Sequence, residues 1–291
     1  MGQSNTTEQT KPAARRWTAE IVSWSFLLLL VVCFHSAIAK PFHIPSESMM
    51  PTLQVGDHLV VSKYPYGWSY ASASFHALPF IKGRLFGRLP DRGDIVVLAG
   101  RDAEGRTVDL IKRLVGLPGD TVQMVGGRLW LNGKPVPKRF LGRRLLRIDG
   151  NFRCDANDPD RERAFHGFVG ARVPGKQGET HCRVPVYRET LPGGRSYDVL
   201  DFGESVADDT EAYRVPAGHV FLLGDNRDNS ADSRVSAALG GLGGPVPFER
   251  IGGRAEFTTY SLKGEAGWNP LTWLSNFRQE RSWKSLRPHS S

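Results

Sequence analysis

The chain has 291 residues, 40% of them apolar and 23% charged, with a net charge of +8; this excludes wholesale disorder and a multi-span channel. Its three cysteines exclude a disulfide-dense scaffold and a zinc site with four cysteine ligands. The 32 glycines and 19 prolines make up about one residue in six, which favours turns and β-structure over long helices.

The first predicted element is residues 21–39, a stretch with no formal charge and a continuously apolar centre from Phe26 to Phe34. As a helix it would measure roughly 28 Å, about one hydrocarbon thickness. Lys11, Arg15 and Arg16 precede it, which keeps residues 1–20 in the cytoplasm and sends the rest across. Ala37-Ile38-Ala39 also fits a small-x-small cleavage site, so the residues alone allow a retained anchor or a removed signal peptide.

Pro45-Ser-Glu-Ser-Met-Met-Pro-Thr-Leu follows at 45–53, with two serines between prolines that restrict the backbone. A stiff, non-helical loop suits a nucleophilic serine, which also needs a base. No histidine is marked out for that role. Strands are predicted from Asp57, Asp94, Val108, Arg128 and His219, bounded by Gly-Asp or Asn-Gly turns, with a hairpin at 129–136. No βαβ alternation occurs, and no phosphate loop, paired metal-ligand spacing or Gly-x-Ser-x-Gly elbow.

In the strand from Val108, alternation puts Leu110, Lys112 and Leu114 on one face. A lysine between two leucines is desolvated, and desolvation lowers its pKa towards a free amine near neutral pH. The alternative is a lysine snorkelling at a strand end. Residues 138–188 carry twelve Lys/Arg against six Asp/Glu and read as a solvated, loop-rich excursion or a surface for anionic lipid. Residues 224–234, Gly-Asp-Asn-Arg-Asp-Asn-Ser-Ala-Asp-Ser-Arg, form a polar cluster after an apolar strand: a solvent-facing turn, or a network supporting a site. Cys154 and Cys182, the two cysteines outside the apolar segment, are predicted to form a disulfide if the domain lies in an oxidising compartment. In the tail at 258–291, Trp268, Trp273, Leu274, Phe277 and Trp283 alternate with basic residues, as in a segment that docks on a membrane surface. The rival is packing of these aromatics on the β-core.

In their order, these blocks resemble the type I signal peptidases (leader peptidases), serine endopeptidases of the Ser/Lys dyad class. The resemblance rests on residues 45–53, on Arg-Gly-Asp-Ile-Val-Val at 92–97 and Ile-Lys-Arg-Leu-Val-Gly-Leu-Pro-Gly-Asp at 111–120, and on 224–234 and Gly-Arg-Ala at 253–255. It implies Ser48 as nucleophile and Lys112 as general base. The Ser48 N–H and Ser46 hydroxyl would form the oxyanion hole, and Ser230 would orient the lysine. Asp232, Arg234 and Arg113 would be a supporting ion-pair network. Phe42, Ile44, Pro45, Leu59, Val97 and Ile111 would line shallow pockets for small residues at −1 and −3 of a signal peptide.

The implied fold is mainly β: an antiparallel-sheet catalytic core (40–120 and 224–257) after one transmembrane helix, with a second, variable β-region at 121–223. The implied partners are secretory precursors and membrane lipids, with no metal or other cofactor and no nucleic acid. The implied location is the inner membrane, single-pass, with the N-terminus cytoplasmic and the catalytic domain periplasmic. Glu47 departs from the family's usual glycine, and a Gly-rich insertion occupies 235–244. Alternatives are a dedicated maturation peptidase, such as one for conjugation pilin, and an inactive anchored peptide-binding β-module.

Overall fold

A computed structural model describes residues 13–72, 82–101, 105–152, 154, 171–175, 179–264 and 276–290. Among the described residues, one α-helix, α1 (Ala13–Ala37), precedes sixteen strands. The apolar stretch expected at 21–39 lies mostly in α1, where Ile21, Trp24, Phe26 and Leu28 are exposed, but Ala39 already opens the first strand. Among the described residues, no helix is long and apolar enough to cross a membrane.

The strands are β1 (Ala39–His43), β2 (Asp57–Ser62), β3 (Ile95–Arg101), β4 (Thr107–Gly116), β5 (Thr121–Val125), β6 (Arg128–Leu131), β7 (Lys134–Pro135) and β8 (Lys138–Arg147). They continue as β9 (Ala171–Pro174), β10 (Thr180–Thr190), β11 (Arg195–Leu200), β12 (Tyr213–Arg214), β13 (His219–Leu223), β14 (Val246–Pro247), β15 (Ile251–Ser261) and β16 (His289–Ser290). Three sheets result. The largest runs β1-β2-β15-β3-β4-β13-β14, and all its pairings are antiparallel. The second runs β16-β11-β10-β8 with β9 on β10, and the third β12-β5-β6-β7.

Alternation decides which side chains enter each core. Along β2, Leu59 and Val61 point to one face and meet Ile44, Ile95, Val97, Ile111 and Ala255. On the opposite face, Val96, Leu98 and Leu114 meet Tyr66, Val220 and Leu222. The predicted hairpin is β6–β7, turning at Asn132 and Gly133, both with positive φ, as a type I′ turn demands.

The expected domain limits shift. Strand β13, assigned by sequence to the second region, is a member of the large sheet. Among its described residues, the basic stretch at 138–188 is mostly strand: β8 and β10 pair antiparallel across nine positions. Alternation in β10 buries Cys182, Val184 and Val186 and turns Arg183 outward, so a basic composition concealed a two-faced strand. Cys154 and Cys182 are joined by a disulfide, with Cα atoms 5.7 Å apart.

In the tail, the described residues follow the rival reading, packing on the β-core. Among its described residues, Leu286 is buried in the same core as Leu59, and Arg278 and Arg281 are buried on Asp149 and Asp57. Trp283, although exposed, stacks on Phe257 at 5.6 Å, and β16 pairs with β11. Buried carboxylates on the core claim the tail's cations, which holds this part of the tail on protein. Trp268, Trp273 and Leu274 lie outside the described residues.

Candidate active site

Ser48 sits in the loop that follows β1. The Met50 amide donates to the Glu47 carbonyl at 3.0 Å and the Leu53 amide to the Met49 carbonyl at 2.9 Å, forming a tight turn whose apolar members face inward. Met49 and Leu53 enter the core beneath the large sheet, while Met50 packs against the disulfide and its neighbours Leu146, Phe152 and Val184. The loop is therefore clamped between two cores.

Lys112 lies in the middle of β4, opposite Val96 on β3. The predicted pairing of faces holds: Leu110 and Leu114 join one apolar cluster, and Lys112 between them is only 4% exposed. Its Nζ donates to Ser48 Oγ at 2.9 Å. Burial pulls the Lys112 amine down to about 8, with the Asp232 charge opposing and the Arg234 charge assisting. The pair is thus a hydroxyl in contact with an amine that is partly neutral near physiological pH.

The polar segment 224–234 is not a solvent-facing turn. Gly224, Asp225, Asn226, Arg227, Ser230, Asp232 and Ser233 are all buried. The Asn226 amide donates to the Ser48 carbonyl at 3.1 Å. Gly224 makes the approach possible, because a Cβ there would lie 2.1 Å from Ser230 Oγ and 2.6 Å from the Ser48 carbonyl oxygen.

The expected ion-pair network is two separate pairs. Arg234 binds Asp232 at 2.9 Å, and Asp232 also accepts the Gly224 amide at 2.9 Å. Arg113 forks onto Asp225 with two contacts of 2.6 Å. A third pair, which the sequence reading missed, is Arg227 on Glu189 at 2.6 and 2.7 Å, with the Tyr197 hydroxyl on the same carboxylate at 2.9 Å. Asp225 and Arg227 were visible as charged members of the 224–234 segment. Glu189 and Tyr197 carried no signal in the sequence.

Ser46 Oγ lies 3.4 Å from Ser48 Oγ, on the exposed side of the loop. Ser230 departs from expectation: its Oγ is buried and, among the described residues, has no hydrogen-bond partner, so the expected hydrogen bond to Lys112 is not formed. The hydroxyl is instead packed against the backbone of Gly224.

Of the six predicted pocket residues, Ile44, Leu59, Val97 and Ile111 form one buried cluster with Phe42 against it, and Pro45 is exposed outside it. Glu47 is buried beside Ser48. Its carboxylate accepts from Asn229 at 3.1 Å and its carbonyl from Asn226 at 3.3 Å, so the acid is held by the supporting segment. The Gly-rich insertion turns back on the same segment, with the Leu242 amide on the Asp232 carbonyl at 3.0 Å.

Residues 16–260 match the family described as signal peptidase, peptidase S26. The chain belongs to the signal peptidase family. Curated relatives in this family include a signal peptidase I of Rickettsia typhi, 32% identical over 265 residues, covering 88% of this chain and 83% of that protein. A second, from Rickettsia conorii, is 32% identical over 284 residues, covering 95% and 88%. A crystal structure of a signal peptidase I from Enterococcus faecalis aligns with 57% of this chain and 97% of its own, at 20% identity and a TM-score of 0.26. The family assignment rests on the first three comparisons.

Proposed function

We propose that this signal peptidase family member is a membrane-bound serine endopeptidase that removes N-terminal signal peptides from secretory precursors, with Ser48 as nucleophile and Lys112 as general base. The observation that carries the reading is the 2.9 Å contact between the Lys112 amine and the Ser48 hydroxyl, both groups being buried.

In this reading, the precursor's cleavage region lies extended in the slot beside β1 and adds to it as a strand. Small side chains at −1 and −3 enter the apolar cluster around Ile44, Leu59, Val97 and Ile111. Neutral Lys112 takes the Ser48 proton as Oγ attacks the scissile carbonyl carbon. The Ser48 N–H and the Ser46 hydroxyl hold the oxyanion. Lys112 then gives its proton to the leaving amine, and the mature chain departs. Water, deprotonated by Lys112, attacks the acyl ester; as the ester bond breaks, Lys112 returns the proton to Ser48 Oγ and the signal peptide leaves as its carboxylate. The anchor is α1, whose exposed apolar side chains and the basic Arg15 and Arg16 at its start support membrane attachment.

The test is cleavage of a precursor by the full chain in neutral detergent. Ser48→Ala and Lys112→Ala should each abolish it. Lys112→Arg should as well, because a guanidinium stays protonated. Lys112→Arg with more than about a tenth of the wild-type kcat would refute the base, given the usual 10²–10⁴-fold contribution.

A further inference from the structure

Asn226 is wholly buried, and the main chain around it is held from two sides. The Leu200 amide donates to the Asp225 carbonyl and the Arg227 amide to the Leu200 carbonyl, both at 2.9 Å. Between these two residues, the Asn226 amide donates instead to the Ser48 carbonyl at 3.1 Å. Residues 225–227 thus run as a single extended link, in which alternate residues face Leu200 of β11 and the Ser48 loop.

The Asn226 side chain reaches the same loop one residue earlier. Its Nδ2 donates to the Glu47 carbonyl at 3.3 Å, an oxygen that also accepts the Met50 amide at 3.0 Å. A carbonyl only accepts, so the nitrogen is the end of the side-chain amide that faces it. Asn226 Oδ1 is buried and, among the described residues, has no hydrogen-bond partner. An orphaned buried acceptor costs about as much as one long hydrogen bond returns. The side chain therefore adds little to stability, and its presence needs another reason.

The reason lies in the peptide unit it holds. The Glu47–Ser48 peptide is trans and planar, so its carbonyl and the Ser48 N–H point in opposite directions within one plane. Among the described residues, the Ser48 N–H has no acceptor. One donor on the Glu47 oxygen leaves that plane free to swing about the contact. Two donors, the Met50 amide inside the turn and Asn226 Nδ2 from the supporting segment, fix it. Whatever fixes the oxygen also fixes the direction of the N–H.

We propose that Asn226 is a positioning residue for the oxyanion hole: its side-chain amide fixes the Glu47–Ser48 peptide plane and so aims the Ser48 N–H at the developing oxyanion. The proposal rests on the serine-peptidase reading and adds a residue to it. An oxyanion develops when Ser48 attacks and again when water attacks the acyl ester, so both halves of the reaction use the aimed donor. The uncleaved substrate makes weaker use of it, because its carbonyl carries less charge and has not yet moved into place.

The experiment measures kcat and KM of the full chain in neutral detergent on a peptide with alanine at −1 and −3, for wild type, Asn226→Ala and Asn226→Asp. Asn226→Ala keeps the main-chain contact to Ser48 and removes only the side-chain donor. Asn226→Asp keeps the shape and presents carboxylate oxygen where the donor stood. Losing an oxyanion donor outright costs about 10²–10³-fold in kcat, and misaiming one costs less, so kcat should fall about 10–100-fold in both variants. KM should stay within about twofold, and the pH dependence of kcat should keep the wild-type form, because Lys112 is untouched. The Tm of Asn226→Ala should fall by less than about 4 °C, since the orphaned acceptor leaves with the bond. A kcat within twofold of wild type would overturn the proposal, as would a loss carried by KM or a shifted pH profile. A Tm lowered by more than about 10 °C, or failure of both variants to fold, would overturn it too, by making the amide a structural element. Absence of cleavage by the wild type would instead overturn the serine-peptidase reading on which the proposal rests.

Discussion

Lys112→Met should abolish peptidase activity and make the protein more stable at neutral pH. The side chains are similar in volume, and the site is buried between Leu110 and Leu114, so methionine fits without overpacking. Lowering the Lys112 pKa from 10.5 to about 8 means that burial disfavours the ammonium by about 3 kcal/mol at pH 7. Methionine removes that cost and loses one hydrogen bond to Ser48, worth about 1 kcal/mol. The net gain is about 2 kcal/mol, or roughly 4–8 °C in Tm for a domain of this size. The pH dependence fixes the sign. Between about pH 8 and 10.5, the unfolded chain binds the lysine proton and the folded chain does not, so wild-type stability rises with pH there. The advantage of methionine should therefore shrink across that window and, above it, give way to a deficit of about 1 kcal/mol, the lost hydrogen bond. Thermal unfolding of both proteins in the same detergent at pH 7, 9 and 11 measures this. A variant less stable than wild type at pH 7, or an advantage independent of pH, would refute the desolvated-amine account and leave Lys112 an ordinary snorkelling side chain.

Two further outcomes are expected. The rate of peptide cleavage should rise about tenfold from pH 7 to a plateau above pH 9, following a single ionisation near 8 as Lys112 becomes neutral; a kcat/KM profile still climbing at pH 10 would contradict it. Replacing Cys154 and Cys182 together by alanine should lower Tm by about 10 °C, because opening a loop of 28 residues restores about 3.5 kcal/mol of chain entropy to the unfolded state. A fall under about 2 °C by scanning calorimetry would show that the bridge adds little.

The legible parts of the fold and site were those in which a local pattern and a chemical requirement coincide. Leu110, Lys112 and Leu114 alternate, so strand geometry alone placed the amine in an apolar environment, and the structure leaves it 4% exposed. The Asn132-Gly133 turn has a local backbone requirement and was found at the right place. What failed was composition read without period. The arginines of 138–188 suggested a loop, yet Cys182, Val184 and Val186 alternate with them and build the core on which Met50 rests. Long-range partners had no local trace. Glu189 and Tyr197 hold Arg227 across 38 and 30 positions, and Leu200 and Asn226 bridge the second sheet to the segment that grips Ser48. The second sheet therefore supports the site from behind. Its disulfide packs against Met50, two residues from Ser48, while its Glu189 fixes the arginine beside Asn226. The Ser48 loop depends on a region the sequence presented as a variable appendage. Its rigidity comes from contacts that only folding brings together.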